Sequence, residues 1–414
     1  MTRSMMSGAA LACAVLSVGG GALADDSGAP PAIPPAAPAP SNAQPASAAP
    51  AAPPTVTLPV PGMAGPLTLN PNPYSINLGP LGKQYVTGMV SGLGFVQDHT
   101  APGDEQSRLD LSNGQIIVTK IDGIFQYYVQ AGGYSLPALG TPYVSAGRAI
   151  PDLYGAVPQA FVKLAPTANF SIEVGKLPTL IGPEYTFTFE NMNIERGVLW
   201  NQENAVNRGV QVNYTLGPVA LSVSLNDGFY SDRLNWLSGS AAWTIDSADT
   251  LTVAAGGNLG HTAYSSLATP LPQNNGSIYN VIYTRSSGPW TITPYVQATY
   301  VPANSALGFA HSAATYGGAV LANYAFTPNV SLAGRVEYIA STGSLADGAP
   351  SLIYGPGSKA VSLTVTPTYR YDRFFARGEF SYVKAFSTTA GFALGPTLTS
   401  TSQVRGLLEA GILF

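Results

Sequence analysis

Val404-Arg405-Gly406-Leu407-Leu408-Glu409-Ala410-Gly411-Ile412-Leu413-Phe414 closes the sequence, and its alternation decides the fold. One parity is apolar or small: Val404, Gly406, Leu408, Ala410, Ile412 and Phe414. The other carries Arg405 and Glu409. A period of two with charge on one face describes a strand with an oily side and a wet side. Ending on a bare aromatic would be odd in a soluble domain. It suits the closing strand of a barrel in a bacterial outer membrane.

The other end of the chain agrees. Arg3 provides a positive start, Ala9 to Val18 an apolar core, and Ala22-Leu23-Ala24 a small-residue cleavage site. Residues 1–24 are therefore expected to be a signal peptide. Its removal would take Cys13, the one cysteine, and leave a chain independent of disulfides. It would also leave 17 basic against 22 acidic side chains, a formal charge of −5 that gives no reason to expect nucleic acid. Charged residues are only 10% of the whole, against about 25% in ordinary globular proteins. Hydrophobic residues reach 45%, yet no run past the leader attains the roughly 18–20 apolar residues of a membrane helix. The apolar content is dispersed by alternation, as in membrane strands.

From Asp25 to about Pro66 the chain is mostly Ala, Pro and small polar residues, too poor in bulk for a core. A disordered periplasmic spacer is expected over 25–80 and a barrel over 81–414. Alternation is clean in Phe170–Val174, Val210–Tyr214, Val219–Leu225, Trp290–Thr293 and Val361–Thr366. Short turns fall at Asp122-Gly123, Pro166–Asn169, Gly217-Pro218, Asp246–Asp249, Ser287–Pro289, Thr327–Asn329 and Asp372-Arg373. Longer gaps lie between them, near 98–108, 133–156, 177–205, 227–235, 260–277, 301–312, 341–358 and 386–401. The expected fold is all-β: a transmembrane antiparallel up-and-down β-barrel of about 16 strands, with short periplasmic turns and longer external loops. Residues 84–97 and 109–121 allow either parity. Outward aromatics are expected in two girdles: Phe125, Phe170, Trp243, Trp290, Phe326, Tyr371, Phe374 and Phe414 near the short turns, and Tyr283, Tyr300, Tyr316, Tyr338 and Tyr382 near the long loops.

Gly175-Lys176-Leu177-Pro178-Thr179-Leu180-Ile181-Gly182-Pro183-Glu184 leaves a strand and opens the longest gap. This G-x-x-x-T-x-x-G-x-E pattern, with the terminal Phe414, resembles the OmpL-like outer-membrane beta-barrel porin family over residues 84–414. The resemblance implies a passive channel. The Pro-rich spacer departs from it.

Charge on the lipid face would cost roughly 2–4 kcal/mol per Arg or Lys at mid-membrane. Arg335, Glu337, Arg370, Arg377, Glu379, Arg405 and Glu409 are thus assigned to the lumen, either as paired charges stiffening a wet wall or as determinants of ion selectivity. Loop 177–205 carries Glu184, Glu190, Glu195, Arg196 and Glu203 among aromatic residues. By count it is the third external loop, which in sixteen-stranded general porins folds inward. A pore constriction is therefore expected, with Glu184, Glu190, Glu195 and Arg196 facing Arg335, Glu337, Arg377, Glu379, Arg405 and Glu409 across a transverse field. A loop lying on the outer surface is the alternative.

Catalysis has little to build on. His99, His261 and His311 stand alone in separate loops, and no G-x-S-x-G or metal-ligand spacing is present. No enzyme activity and no cofactor are expected. The function expected is a porin-like channel for passive diffusion of small polar solutes. The alternatives are a structural or adhesive barrel and a rim hydrolase. Expected partners are outer-membrane lipid and lipopolysaccharide, small polar solutes or ions, and barrel-assembly machinery, with a homo-trimer as the assembly in view.

Overall fold

Sixteen alternating segments hydrogen-bond edge to edge until the last meets the first. The computed structural model describes residues 65–67 and 73–414; the expected signal peptide and most of the expected spacer lie outside them. The strands are β1 (Tyr74–Asn77), β2 (Lys83–Gln97), β3 (Ser107–Lys120), β4 (Phe125–Tyr134), β5 (Gln159–Leu164), β6 (Phe170–Pro178), β7 (Val206–Leu216), β8 (Val219–Asn226), β9 (Trp236–Thr244), β10 (Asp249–Asn258), β11 (Ser277–Ser287), β12 (Trp290–Val301), β13 (Ala313–Thr327), β14 (Val330–Ser341), β15 (Lys359–Tyr371), β16 (Phe374–Phe386) and β17 (Ser402–Leu413). Strands β2 to β17 pair antiparallel with their chain neighbours. β17 then returns to β2, from Arg405 opposite Gln97 to Leu413 opposite Met89. Closure is obligatory in lipid, where each unpaired backbone group costs several kcal/mol.

Connections alternate between two to five residues on one side and nine to 27 on the other. Type of residue follows type of connection: Gly217 and Gly288 adopt φ of +56° and +57° in two-residue hairpins that non-glycine residues enter with strain. The facing of β17 follows its alternation. Gln403, Arg405, Leu407, Glu409 and Leu413 are buried, whereas Leu408 is 72% exposed on the lipid side. The terminal residue completes the seam: Gly88 and Phe414 exchange both backbone hydrogen bonds, at 2.8 and 2.9 Å. The Phe414 ring lies over Gly88, so close that a methyl there would meet it.

The ambiguous parity near the start of the barrel has a local cause. Ser91 pairs with Asn113 and Gly92 with Leu111, leaving Ser112 as an extra residue, a β-bulge. Leu109 and Leu111 face out before it and Ile116 after it, while Ser112 and Asn113 are both buried. One inserted residue flips the parity of the rest of the strand. Two further details differ from the sequence expectation. Tyr283 lies in the short-turn half of β11, paired with Leu251, and its hydroxyl donates 2.5 Å to Asp249. Residues 74–77, within the stretch expected as spacer, form β1 on β2, from Tyr74 opposite Val86 to Asn77 opposite Lys83. This takes up the edge of β2 that β17 leaves uncovered below Met89. Among the described residues no helix is long and apolar enough to cross a membrane; crossing is left to strands.

Candidate functional site

The loop between β6 and β7, residues 179–205, is the longest connection. Its apolar side chains decide where it goes. Ile181, Phe187, Phe189, Met192, Ile194, Val198, Leu199 and Trp200 would be stranded in water on the outer surface, and all are buried. Phe187 and Phe189 join a cluster with the inward-facing Met89, Ile117 and Tyr128. Met192, Val198 and Leu199 join another with Ile282, Tyr295 and Leu321. Ile181 packs with Phe229, Trp236, Ala254 and Ile278. The loop thus lies against the inner face of the wall.

A loop without regular structure brings backbone groups that must be satisfied. Wall charges satisfy them. Glu379 accepts from the amides of Ile194 and Glu195 at 2.5 and 2.9 Å. Glu337 accepts from those of Val198 and Leu199 at 3.0 and 3.1 Å. Arg335 donates to the Glu195 carbonyl at 2.7 Å, and Arg377 to the carbonyls of Thr188 and Asn191 at 3.0 and 3.1 Å. Such charge-assisted bonds are about twice as strong as neutral ones. Gly197 lets the backbone approach the Glu337 carboxylate, where any side chain would collide with it.

Ion pairs complete the attachment. Arg335 bridges Glu184 at 2.6 Å and Glu337 at 3.2 Å. Arg405 pairs with Glu195, and Arg377 with Glu409. Glu409 also accepts from the Thr188 hydroxyl at 2.7 Å. Of the loop acids expected to confront wall arginines, Glu184 meets Arg335 and Glu195 meets Arg405 in direct contact. Arg335, Arg405 and Glu195 are fully buried, and Arg377, Glu379 and Glu409 nearly so. Among the described residues no arginine pairs with Glu190, which accepts from the Phe187 amide at 2.9 Å. Arg196 lies beside the Trp200 ring, 5.4 Å from its centre, and no hydrogen bond reaches its guanidinium among the described residues. Burial pulls its pKa down to about 10 against the opposing pull of nearby carboxylates. Burial likewise raises the carboxyls of Glu184, Glu190 and Glu203 above the usual range.

Other external loops lie over this one. The Leu139 amide donates 2.9 Å to the Arg196 carbonyl, Tyr354 donates 3.1 Å to the Gly140 carbonyl, and Gln202 donates 2.7 Å to that of Leu352. Beneath the loop, on the short-turn side, the lumen opens. One cavity of about 530 Å³ lies between Thr179, Gly182 and Tyr185 of the loop and Ser240, Thr252, Thr284, Ser286, Thr291 and Thr293 of β9 to β12. A second, of about 380 Å³, lies across Thr179 and Tyr185 and is lined by Lys163, Glu173 and Gln211. The hydroxyl lining lies on the polar parity that Ser, Thr, Asn and Gln dominate in the sequence, although no charge singles out these strands. Its signal was the Ser and Thr on the inward parity of four consecutive strands. His99, His261 and His311 are exposed on three different external loops.

Comparison with known proteins agrees with this architecture. The family model described as Putative beta-barrel porin-2, OmpL-like, matches residues 84–414. No curated protein sequence matches the chain. Among solved structures, the anion-selective porin from Comamonas acidovorans superposes with a TM-score of 0.54 at 11% identity, over 80% of this chain and 99% of its own. In-vitro folded OmpT of Vibrio cholerae, in a trimer form, gives 0.53 at 11%, over 80% and 99%. Salmonella typhi OmpF in complex with daunomycin gives 0.51 at 12%, over 80% and 98%. At such identities the likeness is one of fold.

Proposed function

The chain belongs to the OmpL-like beta-barrel porin-2 family, an outer-membrane barrel family, and on that premise we propose that it is a channel for passive diffusion of small polar solutes. Loop 179–205 narrows the lumen, and the path it leaves runs along β9 to β12. The observation that carries this reading is the row of Ser240, Thr252, Thr284, Ser286, Thr291 and Thr293 facing the loop across the 530 Å³ cavity. Hydroxyls both donate and accept, so they replace lost water around a neutral polar solute without favouring either sign of ion. The paired charges at Arg335, Arg377, Arg405, Glu184 and Glu195 act as fastenings of the loop rather than as a selectivity field. Lys163 and Glu173, 3.3 Å apart, balance each other on the far side.

Liposome swelling tests this directly. Neutral sugars and polyols should permeate faster than equally sized charged solutes, and reversal potentials in a salt gradient should stay near zero. Strong selectivity for either ion would return the charges to the path and sink the hydroxyl reading. A second reading, a structural barrel, draws on the apolar clusters that join loop to wall. It predicts no permeation even after residues 185–200 are deleted. We further propose a homo-trimer, the assembly named for one Vibrio cholerae OmpT form; a monomeric mass in detergent by light scattering would reject it.

A further inference from the structure

Three residues that precede the barrel lie inside it. Leu67 is wholly buried in the cluster that holds the inward-facing Met89, Ile117, Phe375 and Leu413 with Phe187 and Phe189 of the in-folded loop. Gly65 sits against the loop itself, and a methyl on it would overlap the Asn191 carbonyl. Asn191 is the knot of that loop: its side chain accepts from the Tyr185 amide at 2.7 Å and donates to the carbonyls of Tyr185 and Phe187 at 2.9 and 2.8 Å. Gly65 also lines the hydroxyl-rich cavity. Pro66 lines a separate cavity of about 690 Å³ at the short-turn mouth, with Thr327, Ser331, Thr368 and Arg370. The segment stands where these two spaces meet.

We infer that Gly65-Pro66-Leu67 is a resident plug, seated in a peptide-binding cradle under loop 179–205 and closing the periplasmic approach to the path. This rests on the channel reading above. The chemistry of the cradle selects an extended Gly-Pro-Leu. A residue at position 65 must lack a Cβ to approach the Asn191 carbonyl. Proline at 66 presents no amide that would need a partner inside the barrel, and fixes the backbone in advance. Leucine at 67 fills an apolar site beside Met89, Ile117, Phe375 and Leu413. The ties are packing contacts rather than ion pairs, and that distinguishes the segment from the loop, which is fastened by charge. A plug so held can leave and return without breaking the salt bridges above it. β1, which begins seven residues after Leu67, keeps the segment at the mouth by its pairing with β2.

Single-channel conductance in planar bilayers separates the outcomes. The full mature chain should show low or mostly closed conductance. Deleting residues 61–67, or replacing Leu67→Asp, should raise the open probability at least several-fold, whereas Leu67→Met should not. A synthetic peptide of residues 61–72, added to the periplasmic side of the deleted channel, should restore block, and a scrambled peptide should not. Because Leu67→Asp places a charge in an apolar cluster and threatens folding, the deletion and the peptide provide independent readings. Equal, non-zero conductance in the full and deleted chains would overturn the plug and leave the channel standing. Silence in both, persisting when residues 185–200 are also removed, would overturn the channel and the plug with it.

Discussion

Arg377 shows how much a single buried charge does here. It pairs with Glu409 and donates to two loop carbonyls. Arg377→Ala should leave Glu409 buried without its partner and destabilise the barrel by about 3–5 kcal/mol. Replacing both members, Arg377→Met with Glu409→Leu, should recover most of that, read as the thermal midpoint in detergent. No recovery would mean that the carbonyl contacts, not the pair, carry the energy. Glu203 is the opposite case. Both its oxygens are buried without a hydrogen-bond partner among the described residues, and burial holds its pKa well above the usual range. The folded chain therefore binds this proton more tightly than the unfolded one, whose Glu titrates at about 4.3. Stability from this group is retained below that value and declines as pH rises towards the raised folded pKa. Glu203→Gln should match the parent at pH 4 and melt higher at pH 8; equal midpoints at both would show that the carboxylate is solvated. The wall charges were legible in the sequence because lipid forbids the other parity. Their partners were legible only in part: Glu190 resembles Glu184 and Glu195 in type and spacing, yet of the three expected to confront arginines Glu184 and Glu195 pair with one and Glu190 accepts from a backbone amide.

Among elements, loop 179–205 is positioned by contacts spread over the wall, so its weak point is sterically defined rather than charged. Gly197→Val would drive a side chain into the Glu337 carboxylate and lift the loop from β14. The expected result is a new protease cut within 179–205 in an otherwise intact barrel, together with higher conductance. A loop that stays resistant would show that neighbouring contacts absorb the clash. Sixteen strands and their turns could be read from the sequence because each strand repeats one rule. β3 resisted because its bulge at Ser112 joins two half-strands of opposite parity, and an average over both erases the signal. β1 resisted because four residues hold no period of their own; only the edge left free on β2 makes them a strand.

At the scale of the molecule, the seam brings together residues 89–97 and 405–413. Removing Phe414 takes away two backbone bonds to Gly88 and the ring that covers it. A chain ending at Leu413 should cross the inner membrane normally but reach the outer membrane in reduced amount, as measured by fractionation and by the heat-resistant folded band. Undiminished surface levels would remove the terminal aromatic from assembly. The seam also sets a schedule. Its two edges are separated by more than 300 residues, and at 5–20 residues per second the second edge emerges tens of seconds after the first. Until then residues 89–97 of β2 have no lasting partner on that side. Assembly of this chain is therefore ordered in time by its own ends: the edge of β2 at residues 89–97, among the first to be made, is the last to be joined.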